Sequence, residues 1–364
     1  MAYVASYCAE SVQKIIGDWK VMQNKDKIYK FIERMPKVEL HVHLEGSIKP
    51  ETVLLLAQRN NIELPIKTLA DVISFFRFKD FKHFVDVFTL ITSCLKAVDD
   101  YELISYQFGC ECARQNIRYA EVTFSMATNC RLTGLSWQDI LEALNRGRSK
   151  AKIEFGVDCG WVFDILRDEP DTQNFVADVV LNSRDKGVVA LGLTGNENAA
   201  TSDKFVKTFD NIRKHCFGIV PHAGETCGPE SICGVIKQLH ADRIGHGVRC
   251  VEDPILMDFL KQKQIPLEVC LTSNICLGIF HDFKTHSLKK LWDSGLFITI
   301  NSDDPALFDT DLNNEYKILV DNFGFDLDDL EQVSLNALHA SFLPDDKKLE
   351  VDQEFRAAFA SLRK

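Results

Sequence analysis

The 364-residue chain contains no apolar run long enough to cross a bilayer, no stretch patterned like a secretory signal, and no Cys-x-x-Cys pair. The first two absences lead to the expectation of a cytoplasmic protein. The third removes the commonest sequence sign of a redox or zinc-knuckle motif. The twelve cysteines are scattered through apolar contexts, with Cys110 and Cys112 the most closely spaced, so they read as reduced, mostly buried thiols. Basic charge is also short: 42 Lys and Arg stand against 53 Asp and Glu, a formal net charge of −11. An acidic surface repels phosphate backbones and anionic headgroups, so neither nucleic acid nor membrane is an expected partner. No linker, low-complexity run or internal repeat interrupts the chain, and residues 1–364 read as one domain, expected to be monomeric.

What is present is enough for a large core: 46% of the residues are hydrophobic and 26% charged. Residues 1–35 read as a helical extension. Val12, Ile15, Ile16, Trp19 and Met22, then Ile28, Phe31, Ile32 and Met35, recur at three- and four-residue steps. The polar break "MQNKDK" (22–27) separates two helices and Pro36 ends the second.

Beyond Pro36 short apolar, β-branched segments alternate with helical patterns. The strand candidates are 38–44, 118–126, 159–166, 188–195, 218–224, 243–248, 266–274 and 296–305. Eight strands alternating with helices predict an α/β fold, a (β/α)8 barrel of the TIM type over residues 36–342. The gap of 48–116 after the first strand is too long for a plain crossover and predicts a helical insertion. Terminal helices are expected near 327–342 and 352–363, the latter within a C-terminal segment 343–364.

Polar residues gather where these strands end. In "KVELHVHLEGS" (37–47), alternation places His41 and His43 on one face, a poor filling for a strand core but half of a metal site. Alone, such a pair is a common chance pattern. Here "HAGE" adds His222 and Glu225 at the fifth strand, "GHG" adds His246 at the sixth, and "SDDP" adds Asp303 and Asp304 at the eighth. In a barrel all of these ends share the catalytic face. His41, His43, His222 and one aspartate supply three nitrogens and an oxygen, which suits a single zinc ion and leaves a place for water. Glu225 and His246 are residue types that move protons.

The segments "MPKVELHVHLEGSI", "LTGNE" (193–197), "PHAGE" (221–225), "RIGHGV" (243–248), "LEVCLTSN" (267–274) and "NSDDP" (301–305) together resemble the adenosine deaminases, zinc-dependent members of the amidohydrolase superfamily. The resemblance spans about residues 36–340. It implies hydrolysis of adenosine to inosine and ammonia in purine salvage, with 2′-deoxyadenosine and 5′-methylthioadenosine as further candidates. It makes His41, His43, His222 and Asp303 the metal ligands and Asp303 an acceptor for the water's proton. Glu225 resembles the acid that protonates purine N1, and His246 the residue that orients the attacking water. Asp304 looks like the partner of N7, and the Gly195 N–H like the donor to N3. Glu45 stands where many relatives carry an aspartate that touches the ribose 5′ hydroxyl, and Asp168 or Asp171 in "RDEPDTQ" (167–173) are further candidates to hold ribose. The phenylalanines of "ISFFRFKDFKHFVDVF" (73–88) fit a lid over the nucleoside or an ordinary core, and His83 reads as a packing histidine.

The rivals are another nucleoside or purine-base deaminase of the same superfamily and, more remotely, a metal-binding relative without activity. The fourth strand ends in "LTGNE" with no lysine to carboxylate, which favours one metal over two. A nucleotide substrate would want a basic pocket, whereas Glu45, Asp168 and Asp171 are acidic. The P-C-x-x-C of the cytidine-type zinc deaminases does not occur.

Overall fold

The computed structural model describes residues 25–66, 68–77 and 81–364. The first helix expected in the N-terminal extension lies outside these residues; the second runs over 25–34 and stops before Pro36. Eight strands follow: β1 (Lys37–His43), β2 (Ile117–Phe124), β3 (Asp158–Leu166), β4 (Val188–Thr194), β5 (Gly218–Ala223), β6 (Ile244–His246), β7 (Leu267–Val269) and β8 (Ile298–Ile300). Each pairs in parallel with the next, in chain order. The protein is the (β/α)8 barrel that the alternation predicts.

The strands are buried along nearly their whole length because helices cover the outside and side chains fill the inside. Their period of two sorts the residues. Val38, Leu40 and Val42 join the large core between strands and helices. Val162, Ala190 and Val220 form a separate small cluster, the apolar filling of the barrel's interior.

The seam between β8 and β1 is thin. Val42 bridges Asp303, with the His43 N–H donating to Asp303 O at 2.8 Å and the Asp303 N–H to His41 O at 3.1 Å. Side chains finish the stitching. Asn301 Oδ1 accepts the Leu40 and His41 N–H groups at 2.9 and 3.1 Å, and Glu39 Oε1 accepts the Ser302 N–H and hydroxyl at 3.0 and 2.6 Å.

Among the described residues the insertion after β1 holds the α-helices Pro50–Arg59, Leu69–Phe76, Phe81–Ser93 and Val98–Arg114. Phe76 is buried in the core, whereas Phe84 stacks on Phe308, just past β8, with ring centroids 5.7 Å apart. His83 packs edge-on against Phe75.

The late strands are shorter than their apolar runs. "CLTSN" continues the β-rich pattern of β7, but residues Leu271–Cys276 coil into a helix, and Glu315 accepts the Thr272 N–H at 3.1 Å. Tertiary contact overrides strand propensity there. The terminal helices lie at Leu327–Ala340 and Asp345–Leu362, and Leu312–Phe323 precedes them. The eleven described cysteines are all free. Among the described residues no helix is long and apolar enough to cross a membrane.

Candidate active site

The C-terminal strand ends bring residues 262 positions apart in the sequence into one cluster. His41 and His43 leave β1, His222 sits on β5, and Asp303 follows β8; one ligand atom from each lies within 4.8 Å of the others. Asp303 Oδ1 is 3.2 Å from His41 Nε2 and 3.3 Å from His43 Nε2. The His41 ring centroid lies 4.4 Å from that of His222. His41 Nε2 and His222 Nδ1 are buried with no hydrogen-bond partner. Burial without a partner is costly for a polar atom. Lone pairs converging beside a carboxylate fit a divalent cation with nitrogen and oxygen ligands.

A carboxylate sets the His41 tautomer. Glu268 on β7 lies with Oε2 3.0 Å from His41 Nδ1, so the ring's Nδ1–H donates a hydrogen bond to Glu268 and turns the Nε2 lone pair to the centre. Burial opposes the Glu268 charge, but Arg243, with Nε 2.5 Å away, and His41 hold its carboxyl below the ordinary range. Arg243 reaches on to Glu121 at 2.6 Å and to Ala340 O at 2.9 Å, with the Phe342 ring 4.2 Å from its guanidinium. A chain of buried charge thus runs from the cluster to the barrel's floor.

Glu225 and His246 stand beside this histidine–aspartate cluster, Oε1 and Nε2 3.6 Å apart. Burial, followed by the nearby charges of Asp303 and Glu197, raises the Glu225 carboxyl to about 8. Burial above all lowers the His246 imidazole to about 4. At neutral pH the carboxyl is therefore protonated and the imidazole neutral, an acid and a base held apart by their surroundings. His246 and Asp303 both adopt left-handed backbone, φ +61 and +65, unusual for residues with a Cβ and common where strain serves a site.

Asp304 is buried, and burial raises its carboxyl. Gly46 lies against it so closely that a Cβ there would strike the Asp304 carboxylate. Gly195 takes φ +78, and a Cβ on it would fall 2.5 Å from Asp168 Oδ1, so this position requires glycine twice over.

The ribose candidates divide. Asp171 stands exposed in the turn Pro170–Thr172, and Asp168 is exposed with Oδ1 3.4 Å from the Asn196 N–H. Glu45 is fully buried, and its Oε1 accepts the Ser125 N–H at 3.1 Å and the Asn129 amide at 2.8 Å. Asp164, at the end of β3, accepts hydrogen bonds from Ser125 Oγ at 3.1 Å and from the Thr194 hydroxyl.

Several residues of the site escape motif reading. Glu197 of "LTGNE" accepts the N–H groups of Gly224, Glu225, Thr226 and Cys227, and so fixes the loop that carries Glu225. Cys270, read as structural, lies within 4.8 Å of ligand atoms of His41, His246 and Asp303. Glu268, Arg243 and Asp164 carry one signal in common, a charged residue inside an apolar strand segment.

The match to known proteins follows the same geometry. The adenosine deaminase family model covers residues 36–358. An aminodeoxyfutalosine deaminase of Streptomyces coelicolor is 36% identical over 333 residues, 90% of this chain and 85% of that protein. An adenine deaminase of Wolinella succinogenes is 33% identical over 320 residues, 88% of this chain and 96% of that protein. The crystal structure of an amidohydrolase from Burkholderia ambifaria, with bound zinc, superposes with a TM-score of 0.85 at 26% identity, covering 93% of this chain and 94% of that one. From barrel, ligand cluster and match together, the chain belongs to the adenosine deaminase family of metal-dependent amidohydrolases.

Proposed function

We propose that the protein hydrolyses the 6-amino group of a purine, converting adenosine and water to inosine and ammonia. The observation that carries this reading is the juxtaposition of a protonated buried acid, Glu225, and a neutral base, His246, with a histidine–aspartate cluster whose lone pairs converge. His41, His43, His222 and Asp303 would hold one zinc ion. That ion supplies a Lewis acid that lowers the pKa of the attacking water.

The remaining chemistry belongs to the side chains. Glu225 gives its proton to purine N1, which breaks ring conjugation and makes C6 electrophilic. His246, neutral and wedged against His41 and His222, accepts a hydrogen bond from the water and orients it. Asp303 accepts the proton that the water loses. Asp304, its carboxyl held toward the neutral form by burial, donates to the N7 lone pair. The Gly195 N–H meets N3. Asp303 passes its proton to the amino group, ammonia leaves C6, the proton of the new C6 hydroxyl returns to Glu225, and the ring recovers its conjugation as the 6-oxopurine.

A second reading, free adenine as substrate, rests on Glu45: one of its oxygens is held by Ser125 and Asn129 rather than being left wholly to ribose. A nucleotide is disfavoured because Arg167, at the end of β3, is buried and occupied by Ala200 O and His222 O, both at 2.8 Å.

The test is ammonia release and loss of 6-aminopurine absorbance from adenosine, 2′-deoxyadenosine, 5′-methylthioadenosine, adenine and AMP. It is run on zinc-loaded protein, then after chelation, then after zinc is returned. Turnover of adenosine that vanishes and returns with the ion is expected. Zinc-loaded, folded protein that deaminates none of these compounds overturns the proposal.

A further inference from the structure

Glu45 and Ser125, just past the ends of β1 and β2, and Asp164 and Thr194, near the ends of β3 and β4, form a polar belt that the chemistry at C6 does not use. The Ser125 N–H donates to Glu45 and its hydroxyl to Asp164, so a single residue joins two buried carboxylates. Thr194 donates to the same Asp164 oxygen that Ser125 reaches. Asn129 holds Glu45 at 2.8 Å and is itself held by the Tyr101 hydroxyl at 3.0 Å. These donors satisfy one oxygen of each acid. The other two, Glu45 Oε2 and Asp164 Oδ1, are buried with no partner. Asp164 is only 3% exposed and Glu45 not at all.

The strand period says where Asp164 faces. Val162, two residues earlier, belongs to the apolar cluster inside the barrel. Gly192, paired with Asp164 across β3 and β4, would place a Cβ 3.3 Å from Asp164 Cβ and 3.5 Å from Val162 Cγ1, on that same interior side. Asp164 is thus one step above Val162, toward the catalytic face. Glu45 is two residues beyond the ligand His43, and Thr194 immediately precedes Gly195.

The orientation of the purine follows from the proposed function, on which this inference rests. With N1 at Glu225 on the β5 side and N7 at Asp304 on the β8 side, the ring directs N3, N9 and the N9 substituent toward β1–β4. We propose that Asp164, paired with Glu45 through Ser125, is a specificity-determining residue that accepts a hydrogen-bond donor on the glycosidic side of the substrate. Asp164 Oδ1 accepts and does not donate while its carboxyl is ionised, whereas Glu45 Oε2 would donate if that acid held a proton. The matching group is an O–H of ribose or the N9–H of the free base. An N9 substituent without a donor leaves both oxygens unpaired, an arrangement by which a buried polar site rejects the wrong ligand.

The experiment compares kcat/KM on adenosine, adenine and 9-methyladenine for wild type and Asp164→Asn, with melting temperature and zinc content measured in parallel. 9-Methyladenine keeps the reacting edge and has no donor at N9. In wild type the donor-bearing substrates lead it. In Asp164→Asn that lead shrinks by about 10- to 100-fold, the scale of one hydrogen bond to a charged group. Collapse against adenosine identifies ribose as the source, and collapse against adenine identifies N9–H. If Asp164→Asn does not fold, Thr194→Val, which removes the hydroxyl that fixes Asp164, shifts the ratio in the same direction. A folded, zinc-loaded variant whose ratios both match wild type overturns this inference while leaving deamination intact. Absence of deamination in wild type overturns the proposed function instead.

Discussion

Replacing Glu268 by Gln tests whether the metal site is organised from beneath. The substitution keeps the side chain's shape and removes its charge. In the native site Glu268 Oε2 accepts the His41 Nδ1–H at 3.0 Å while Oε1 accepts the Arg243 Nε–H at 2.5 Å. An amide offers one acceptor oxygen to two donors, and its NH2 group repels whichever donor it faces. Loss of such an outer partner lowers metal affinity by about 10–100-fold, or about 1.4–2.7 kcal/mol. The fold suffers less, because Arg243 keeps Glu121 at 2.6 Å and Ala340 O at 2.9 Å. Glu268→Ala would be harsher, since breaking a buried ion pair costs about 3–5 kcal/mol. The assay is competition for zinc between apo protein and a chromophoric chelator at fixed pH, with thermal melts confirming that the variant is folded. A folded Glu268→Gln protein with wild-type zinc affinity would refute the view that Glu268 prepares His41 as a ligand.

Glu225→Gln is expected to retain zinc, measured by metal analysis, and to lose about 10²–10⁴-fold in turnover, the range of general acid–base catalysis. The pH profile carries the same assignment. Glu225, raised to about 8, is protonated below that value, so kcat/KM should hold below it and fall as pH rises through it; Glu225→Gln should lack that limb. His246, lowered to about 4, is a neutral base above that value, which places the acid limb near it while the fold persists. Gly46→Ala would drive a methyl group into the Asp304 carboxylate. Displacement of this proposed partner of N7 should cost about 10²-fold in kcat/KM with zinc still bound, and a Michaelis analysis showing wild-type kinetics would contradict the role of Asp304.

The barrel is legible in the sequence because β-branched runs and helical periodicity alternate without interruption after Pro36. The candidate ligand cluster is legible because histidine is rare enough that a pair on one strand face, followed by "HAGE", "GHG" and "SDDP", marks the strand ends. The supporting charge is not. Glu268 in "LEV" and Arg243 before "IGHG" read locally as polar positions on a half-exposed strand, and only closure of the barrel turns them inward to face each other and His41. Strand length fails for a related reason. Residues 271–276 have the composition of a strand, but the chain has already left the barrel and winds into a helix anchored by Glu315. Glu45 shows the limit of carrying a role across by position: its longer arm reaches Ser125 and Asn129, a contact that sequence spacing does not reveal.

The thin join between the first and last strands has a consequence for the protein's life without its ion. Val42 and Asp303 bridge there, and the flanking side chains, His41, His43 and Asp303, belong to the candidate ligand cluster. A cation gripped from both sides acts as a clasp across the weakest circumference of the cylinder. Its occupancy adds stability by mass action in proportion to the logarithm of its concentration over the dissociation constant. Starved of metal, the cylinder should first part where its two ends meet, and amide exchange would quicken at His43 and Asp303 before it did so along β2, β3 or β4.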